Sequence, residues 1–248
     1  MRTIYILWLR QLKRYTRSRS RIIGSLGQPL LFLFAFGFGF SPIYQRAGGG
    51  NYIAFLAPGI IAQGILFTAI FAGIELIWDR QFGFLKETLV APVSRLEIMI
   101  GRTLGGATIA TLQGVIIFFL TLLAGFRPAN WWLLLPAVAF MFLIATLFTA
   151  LGTAIASTMS DFQGFQLIMN FLIMPLFFLS GALFPLDGIP PVLAAIASFN
   201  PLSYGVDGLR GVLLNATHFG MGRDIAVLSA LTVLVLLIGN YLFSKIEI

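Results

Sequence analysis

Charged side chains along this 248-residue chain come in short clusters separated by long stretches that hold none. A charge at the centre of a bilayer costs at least about 2.5 kcal/mol, so the uncharged stretches are where membrane-crossing helices can lie. Six of them, 22–45, 47–74, 103–126, 128–160, 162–186 and 225–244, are long enough: a helix rising about 1.5 Å per residue needs roughly 20 residues to cross about 30 Å of hydrocarbon. The pattern predicts an all-α integral membrane protein, one domain over 1–248, with six transmembrane helices at about 22–42, 52–78, 95–125, 131–158, 163–184 and 224–244.

A further uncharged stretch, 188–206, contains Pro190, Pro191, Asn200 and Pro201. One continuous helix there could not satisfy its backbone hydrogen bonds in lipid. A re-entrant helical hairpin over about 188–215, on the extracellular side before the last span, is expected instead. Pro190 and Pro191 open its first limb; Asn200 as N-cap and Pro201 at the first helical position open its second. Leu202, Val206, Leu209 and Leu213 share one face of that limb, and Asp207 and Arg210 are three apart, a spacing that allows pairing.

Residues 1–21 read as an amphipathic helix. Ile4, Tyr5, Trp8, Leu12 and Tyr15 fall on one arc of the helical wheel, and Arg10, Lys13, Arg14, Arg17 and Arg21 on the opposite arc. This predicts an interfacial helix, apolar face in lipid and basic face toward anionic headgroups. An elbow touching a cytoplasmic partner and a plain anchor fit these residues equally. The basic part is too long for a signal peptide and no small-residue cleavage site follows 30–40, so the segment is expected to be retained.

Composition agrees: 58% of residues are apolar and 10% charged, with a mean hydropathy of +0.95, whereas soluble domains carry about a quarter charged residues. The net charge of +7 is a topology signal. With the N-terminus inside, twelve Lys/Arg are cytoplasmic against four outside (Arg46, Arg127, Arg210, Arg223), which places both termini in the cytoplasm and leaves no call for nucleic acid. Charge counts alone also admit a seventh span through 188–206; the prolines argue against it.

The chemistry of an enzyme is missing. The chain has no cysteine, a single histidine (His218, in a polar loop) and no HExxH, GxSxG or Asp-rich motif, so no catalytic or metal-binding residues are expected. Without GxxxxGK[ST], any ATP must be bound by another subunit. Glu75, one turn from Asp79 and Arg80, reads as an interfacial carboxylate at a span end. Gln63, Thr68, Gln113 and Asn170, with Gly101 and Gly105 in GxxxG spacing, fit close helix packing or a substrate path.

The loop after the second span is the most informative polar segment. A helix over about 82–91 is ended by Pro92. Ser94 and Glu97 then fit a capping box, with Val93 and Ile98 as its staple, so a new helix starts at once and runs into the third span. Phe84, Leu85 and Leu89 lie beside Lys86 and Glu87 on this short helix. It suits transmission of motion from a cytoplasmic partner; an ordinary interfacial loop would look the same.

The six-span layout, the segment Lys86-Glu87-Thr88-Leu89-Val90-Ala91-Pro92-Val93-Ser94-Arg95, and the segments Leu179-Ser180-Gly181-Ala182-Leu183-Phe184-Pro185 and Phe199-Asn200-Pro201-Leu202-Ser203-Tyr204-Gly205-Val206-Asp207-Gly208-Leu209-Arg210 resemble the permeases of type-2 ATP-binding-cassette (ABC) transporters. The drug-resistance and nodulation-factor export branch is nearest, over essentially the whole chain. The resemblance implies a non-enzymatic half of an ATP-driven exporter in a prokaryotic cell membrane. A second permease copy or sibling and two cytoplasmic ATPase subunits, which bind ATP and Mg, would complete it. It implies that Phe84, Leu85, Lys86, Glu87, Leu89, Pro92 and Arg95 belong to the coupling helix region. Asn200, Pro201, Tyr204, Asp207 and Arg210 would belong to the outer hairpin. An amphipathic drug, lipid or lipid-linked glycan would pass along the first, second and fifth spans, with Phe32, Phe36, Gln63, Phe67, Asn170 and Phe177 as candidate lining. A secondary transporter or channel would need a matching broken helix in an inverted half, and only one broken region is found; a membrane enzyme would need clustered catalytic groups.

Overall fold

The computed structural model of the chain describes residues 2–46, 48, 50–90 and 92–245, with the side chains of Arg21, Lys86 and Leu89 outside that description. Every regular element among the described residues is helical. In chain order they are α1 (Arg2–Arg17), α2 (Arg19–Gly39), α3 (Ser41–Arg46), α4 (Tyr52–Phe71), α5 (Ile74–Gln81), α6 (Phe84–Val90) and α7 (Arg95–Leu123). A 3₁₀ turn (Trp131–Leu133) leads into α8 (Leu134–Ser157), followed by α9 (Phe162–Phe178), α10 (Pro191–Phe199), α11 (Pro201–Leu214) and α12 (Met221–Ser244).

Among the described residues, five helical stretches are long and apolar enough to cross a membrane: Ile22–Gly39, Tyr52–Gln81, Arg95–Leu123, Trp131–Ser157 and Met221–Ser244. The stretch expected as a span at 163–184 yields only the 17-residue α9. Ser180 Oγ turns back to donate to Phe177 O, Gly181 takes a left-handed φ of +74°, and the chain runs on without helix to Pro190. Hydropathy could not register this stop, because 179–184 is as apolar as the helix before it.

The long second span is jointed. α4 ends at Phe71, Ala72 and Gly73 form a turn, and α5 resumes at Ile74. Gly73 lies against the backbone of Gly152 in α8, and Gly152 against that of Ile70, so neither position has room for a Cβ. α4 is the axis of the bundle. Every residue of 56–66 is buried, and the helix packs on α2, α7, α8 and α11.

Two expectations about the smaller helices change. α1, expected to rest on the bilayer, also buries Leu7, Gln11 and Tyr15 against α7, where Gly101 and Gly105 leave the space that Ile4, Leu7 and Gln11 occupy. The GxxxG spacing therefore seats α1. The second hairpin limb was read as one-sided, yet Ser203, Gly205, Asp207, Gly208, Gly211 and Val212 are buried along with the expected Leu202, Val206, Leu209 and Leu213. α11 is a wedge among α4, α8 and α12, while α10 buries only Ala197.

Candidate functional site

The helix α6 lies between a jointed span and a capped one. Gly83, with φ +78°, ends the turn after α5, so α6 begins at Phe84 rather than at 82. At its far side Ser94 Oγ accepts from Glu97 N at 3.1 Å, which starts α7 as the capping motif predicts. Of the residues expected to couple here, Leu85 is buried, Glu87 and Pro92 are exposed, and Arg95 is intermediate; the side chains of Lys86 and Leu89 lie outside the described residues. Phe82, 83% exposed, and Val90 add apolar surface to the same segment.

Beneath α6 sits an ionic node that the sequence reading missed. Asp79 in α5 is 6% exposed and meets three arginines. Arg102, in α7 and 4% exposed, donates to Oδ2 at 2.5 Å; Arg10, in α1, donates to Oδ1 at 2.9 Å; Arg14 Nη1 lies 3.9 Å away. The Arg10 guanidinium also stacks over the Phe84 ring, 3.8 Å from its centroid, an attraction of about 1 kcal/mol or more where water is displaced. One carboxylate therefore ties α1, α5 and α7 together, and Arg10 extends the tie to α6. Glu75, one turn earlier and expected as an interfacial carboxylate at a span end, is buried as well. The available signal was Arg102, a guanidinium set two turns into an apolar helix that needed a partner.

α1 is further pinned by Trp8 Nε1 donating to Thr108 Oγ1 at 3.0 Å and by Tyr15 OH donating to Gln113 Oε1 at 2.8 Å. Tyr15→Phe should lower stability by about 1 kcal/mol, read as a fall in the melting temperature of the purified protein; an unchanged melt would mean that this bond has no net worth.

Next to the node opens a cavity of about 360 Å³. Gln11, Ser25, Gln28, Thr68 and Gln166 supply polar groups, and Phe67, Phe71 and Trp78 supply rings. At the opposite end, an apolar pocket of about 370 Å³ is walled by Phe36, Phe40, Tyr44, Tyr52, Phe178 and Phe184. Between them, Phe32 stacks on Phe36 with centroids 5.3 Å apart and meets the edge of Phe177 at 5.5 Å. Phe32, Phe36 and Phe177 are thus brought together, Phe67 lines the polar cavity, Gln63 is buried within α4, and Asn170 is exposed on α9.

At the same end as the apolar pocket, Asn200 Oδ1 caps α11 through Leu202 N at 3.0 Å, ahead of Pro201 at the first helical position, while its Nδ2 donates to Leu176 O at 2.7 Å. Tyr204 OH donates to Ser198 O at 2.7 Å, closing the two limbs on each other. The expected Asp207–Arg210 pair does not form. Asp207 accepts from the backbone N–H of His218 and of Phe219 at 2.7 and 2.8 Å, and Arg210 donates to Gly181 O at 3.0 Å while stacking over Phe55. His218, in the polar loop, is exposed and places Nδ1 2.8 Å from Asp187 Oδ1.

Residues 2–214 match the family model described as "ABC-2 type transporter". The chain is 32% identical over 212 residues to Nodulation protein J of Rhizobium leguminosarum bv. trifolii, covering 85% of this chain and 78% of that one. It is 29% identical over 226 residues to the same-named protein of R. leguminosarum bv. viciae, covering 90% and 86%. It is 34% identical over 200 residues to the putative transport permease ycf38 of Pyropia yezoensis, covering 78% and 68%. With its apolar helices and this match over most of its length, the chain belongs to the ABC-2 type transporter family, as a multi-pass membrane permease subunit.

Proposed function

We propose that this permease is one half of an ATP-driven exporter whose motor is a separate pair of cytoplasmic ABC ATPases, which hold the ATP and Mg. The node around Asp79 is the observation that carries the reading. A short exposed helix serves a motor only if its displacement reaches the spans, and Arg10, Asp79 and Arg102 join α6 to α1, α5 and α7 within one set of contacts. In this reading α6 seats in a cleft of the ATPase, α9 is a short sixth span, and α10 with α11 re-enters from outside. Met99, near the start of α7, touches Gly239 near the end of α12, which supports both termini on one side, the cytoplasm of a prokaryotic cell.

The path runs between this subunit and a second copy or sibling, along α2, α4 and α9. Each of these helices carries an internal proline, Pro29, Pro58 and Pro175, and so lacks one backbone hydrogen bond where it must flex. The amide- and ring-lined cavity takes an amphipathic drug, lipid or lipid-linked glycan from the inner side. The Phe32, Phe36 and Phe177 cluster separates it from the apolar outer pocket until the ATPases close.

Glu87→Lys reverses an exposed charge on α6 and touches neither the node nor the cavity. The expected result is normal membrane insertion with ATP hydrolysis by the complex reduced about tenfold, a loss of roughly 1.4 kcal/mol of coupling. Hydrolysis at the wild-type rate, with the ATPase still copurifying, would remove α6 from the coupling role.

A further inference from the structure

Gln63 stands out in the core of α4. It is 0% exposed, and neither its Oε1 nor its Nε2 has a hydrogen-bond partner. Burying an amide with both halves unmet is costly, and a leucine would fill the same space at no such cost. Its position along the helix is equally specific. Residues four apart share a helix face. One turn before Gln63, Gly59 packs against the backbone of Ala182; one and two turns after it, Phe67 and Phe71 line the polar cavity. Tyr52, at the start of α4, lines the apolar pocket and donates through its hydroxyl to Leu183 O at 2.9 Å. At about 1.5 Å of rise per residue, Gln63 is about 6 Å from the level of Phe67 and about 16 Å from that of Tyr52. Along α4 it therefore lies at a level between the cavity and the pocket.

We propose that Gln63 is a polar station of the translocation path, an amide left unpaired in the closed protein and satisfied by hydroxyl or amide groups of the cargo as the path opens. This rests on the route along α2, α4 and α9 given above. The station favours cargo with uncharged hydrogen-bonding groups over pure hydrocarbon, since only the former can meet both halves of the amide.

The absence of cysteine makes the idea directly testable. Single-cysteine variants Gln63→Cys, Phe67→Cys and Ile61→Cys, purified with the partner ATPase in lipid nanodiscs, are treated with a water-soluble methanethiosulfonate, with and without ATP and vanadate. Phe67→Cys should react in both conditions and Ile61→Cys, buried on the opposite side of α4, in neither. Gln63→Cys should react about tenfold faster with nucleotide, as the open form is populated. If Gln63→Cys stays as inert as Ile61→Cys while Phe67→Cys reacts, the station is overturned and the cavity stands; an inert Phe67→Cys overturns the route itself. Gln63→Leu provides the second arm. Relief of the unpaired amide should raise the melting temperature of the complex by a few degrees; a lower one would mean that the amide is already partnered and would overturn the proposal.

Discussion

Asp79→Ala should destabilise the folded permease by about 3–5 kcal/mol, the cost of stranding buried charge when one partner of an ion pair is removed. Arg102 bears most of it, because it is 4% exposed and Asp79 is its ion-pair partner among the described residues. Arg10 and Arg14 are partly exposed and can turn to water. Asp79→Asn keeps the shape and an acceptor oxygen but loses the charge, so it should fall between Ala and wild type. The measurement is the melting temperature of detergent-purified protein together with the yield of the complex. A second readout separates the node from mere bulk: with Asp79→Asn, hydrolysis by the assembled complex should drop even where the protein still assembles, because α6 and α7 no longer move together. If Asp79→Ala melts within about 1 kcal/mol of wild type, the three arginines owe nothing essential to this carboxylate.

Asp207→Ala should cost about 3 kcal/mol or more, since it leaves two backbone N–H groups without the charged acceptor that each now uses, at about 1.5–3 kcal/mol apiece. Asp207 is 2% exposed, and the bonds from His218 and Phe219 fold the segment after α11 back onto that helix just before α12 begins. Its loss should loosen this turn more than the rest of the protein. Limited proteolysis at 215–220 is the direct check, with cleavage rising well ahead of global unfolding. Arg210→Ala should leave that turn intact and instead free the Gly181 carbonyl beside the apolar pocket. Equal cleavage in both variants would argue for a coupled pair after all.

Signals carried by neighbouring residues were legible in the sequence. Asn200 and Pro201 open α11, Ser94 opens α7, and Pro190 with Pro191 opens α10, because capping and proline effects act within one turn. Other features depend on parts of the chain that only folding brings together. Arg10 and Asp79 are 69 residues apart, Arg102 and Asp79 are 23 apart, and Asp207 finds its partners 11 and 12 residues downstream rather than three. The spacing of Asp207 and Arg210 permits a pair, but better-placed acceptors and donors from loops take each side chain. The joint at Ala72 and Gly73 was invisible to hydropathy for a related reason. The joint lies where α8 brings the backbone of Gly152 against it, and an apolar run reads alike whether its helix is straight or broken. Likewise, nothing in their residue type separates Phe32, Phe36 and Phe177 from rings that face lipid; only the stacking distances gather them.

The seat of α1 on Gly101 and Gly105 also constrains how the protein is made. The helix emerges from the ribosome well before its resting place, which belongs to a helix about a hundred residues later, as the bonds from Trp8 to Thr108 and from Tyr15 to Gln113 record. Until α7 has been inserted, Leu7, Gln11 and Tyr15 have no protein surface to cover. An amphipathic helix can wait on the bilayer, and the wheel pattern of Ile4, Tyr5, Trp8, Leu12 and Tyr15 equips it to do so. Ile4, Trp8 and Tyr15 thus serve at two moments of the helix's life, an early berth on lipid and a final one against α7.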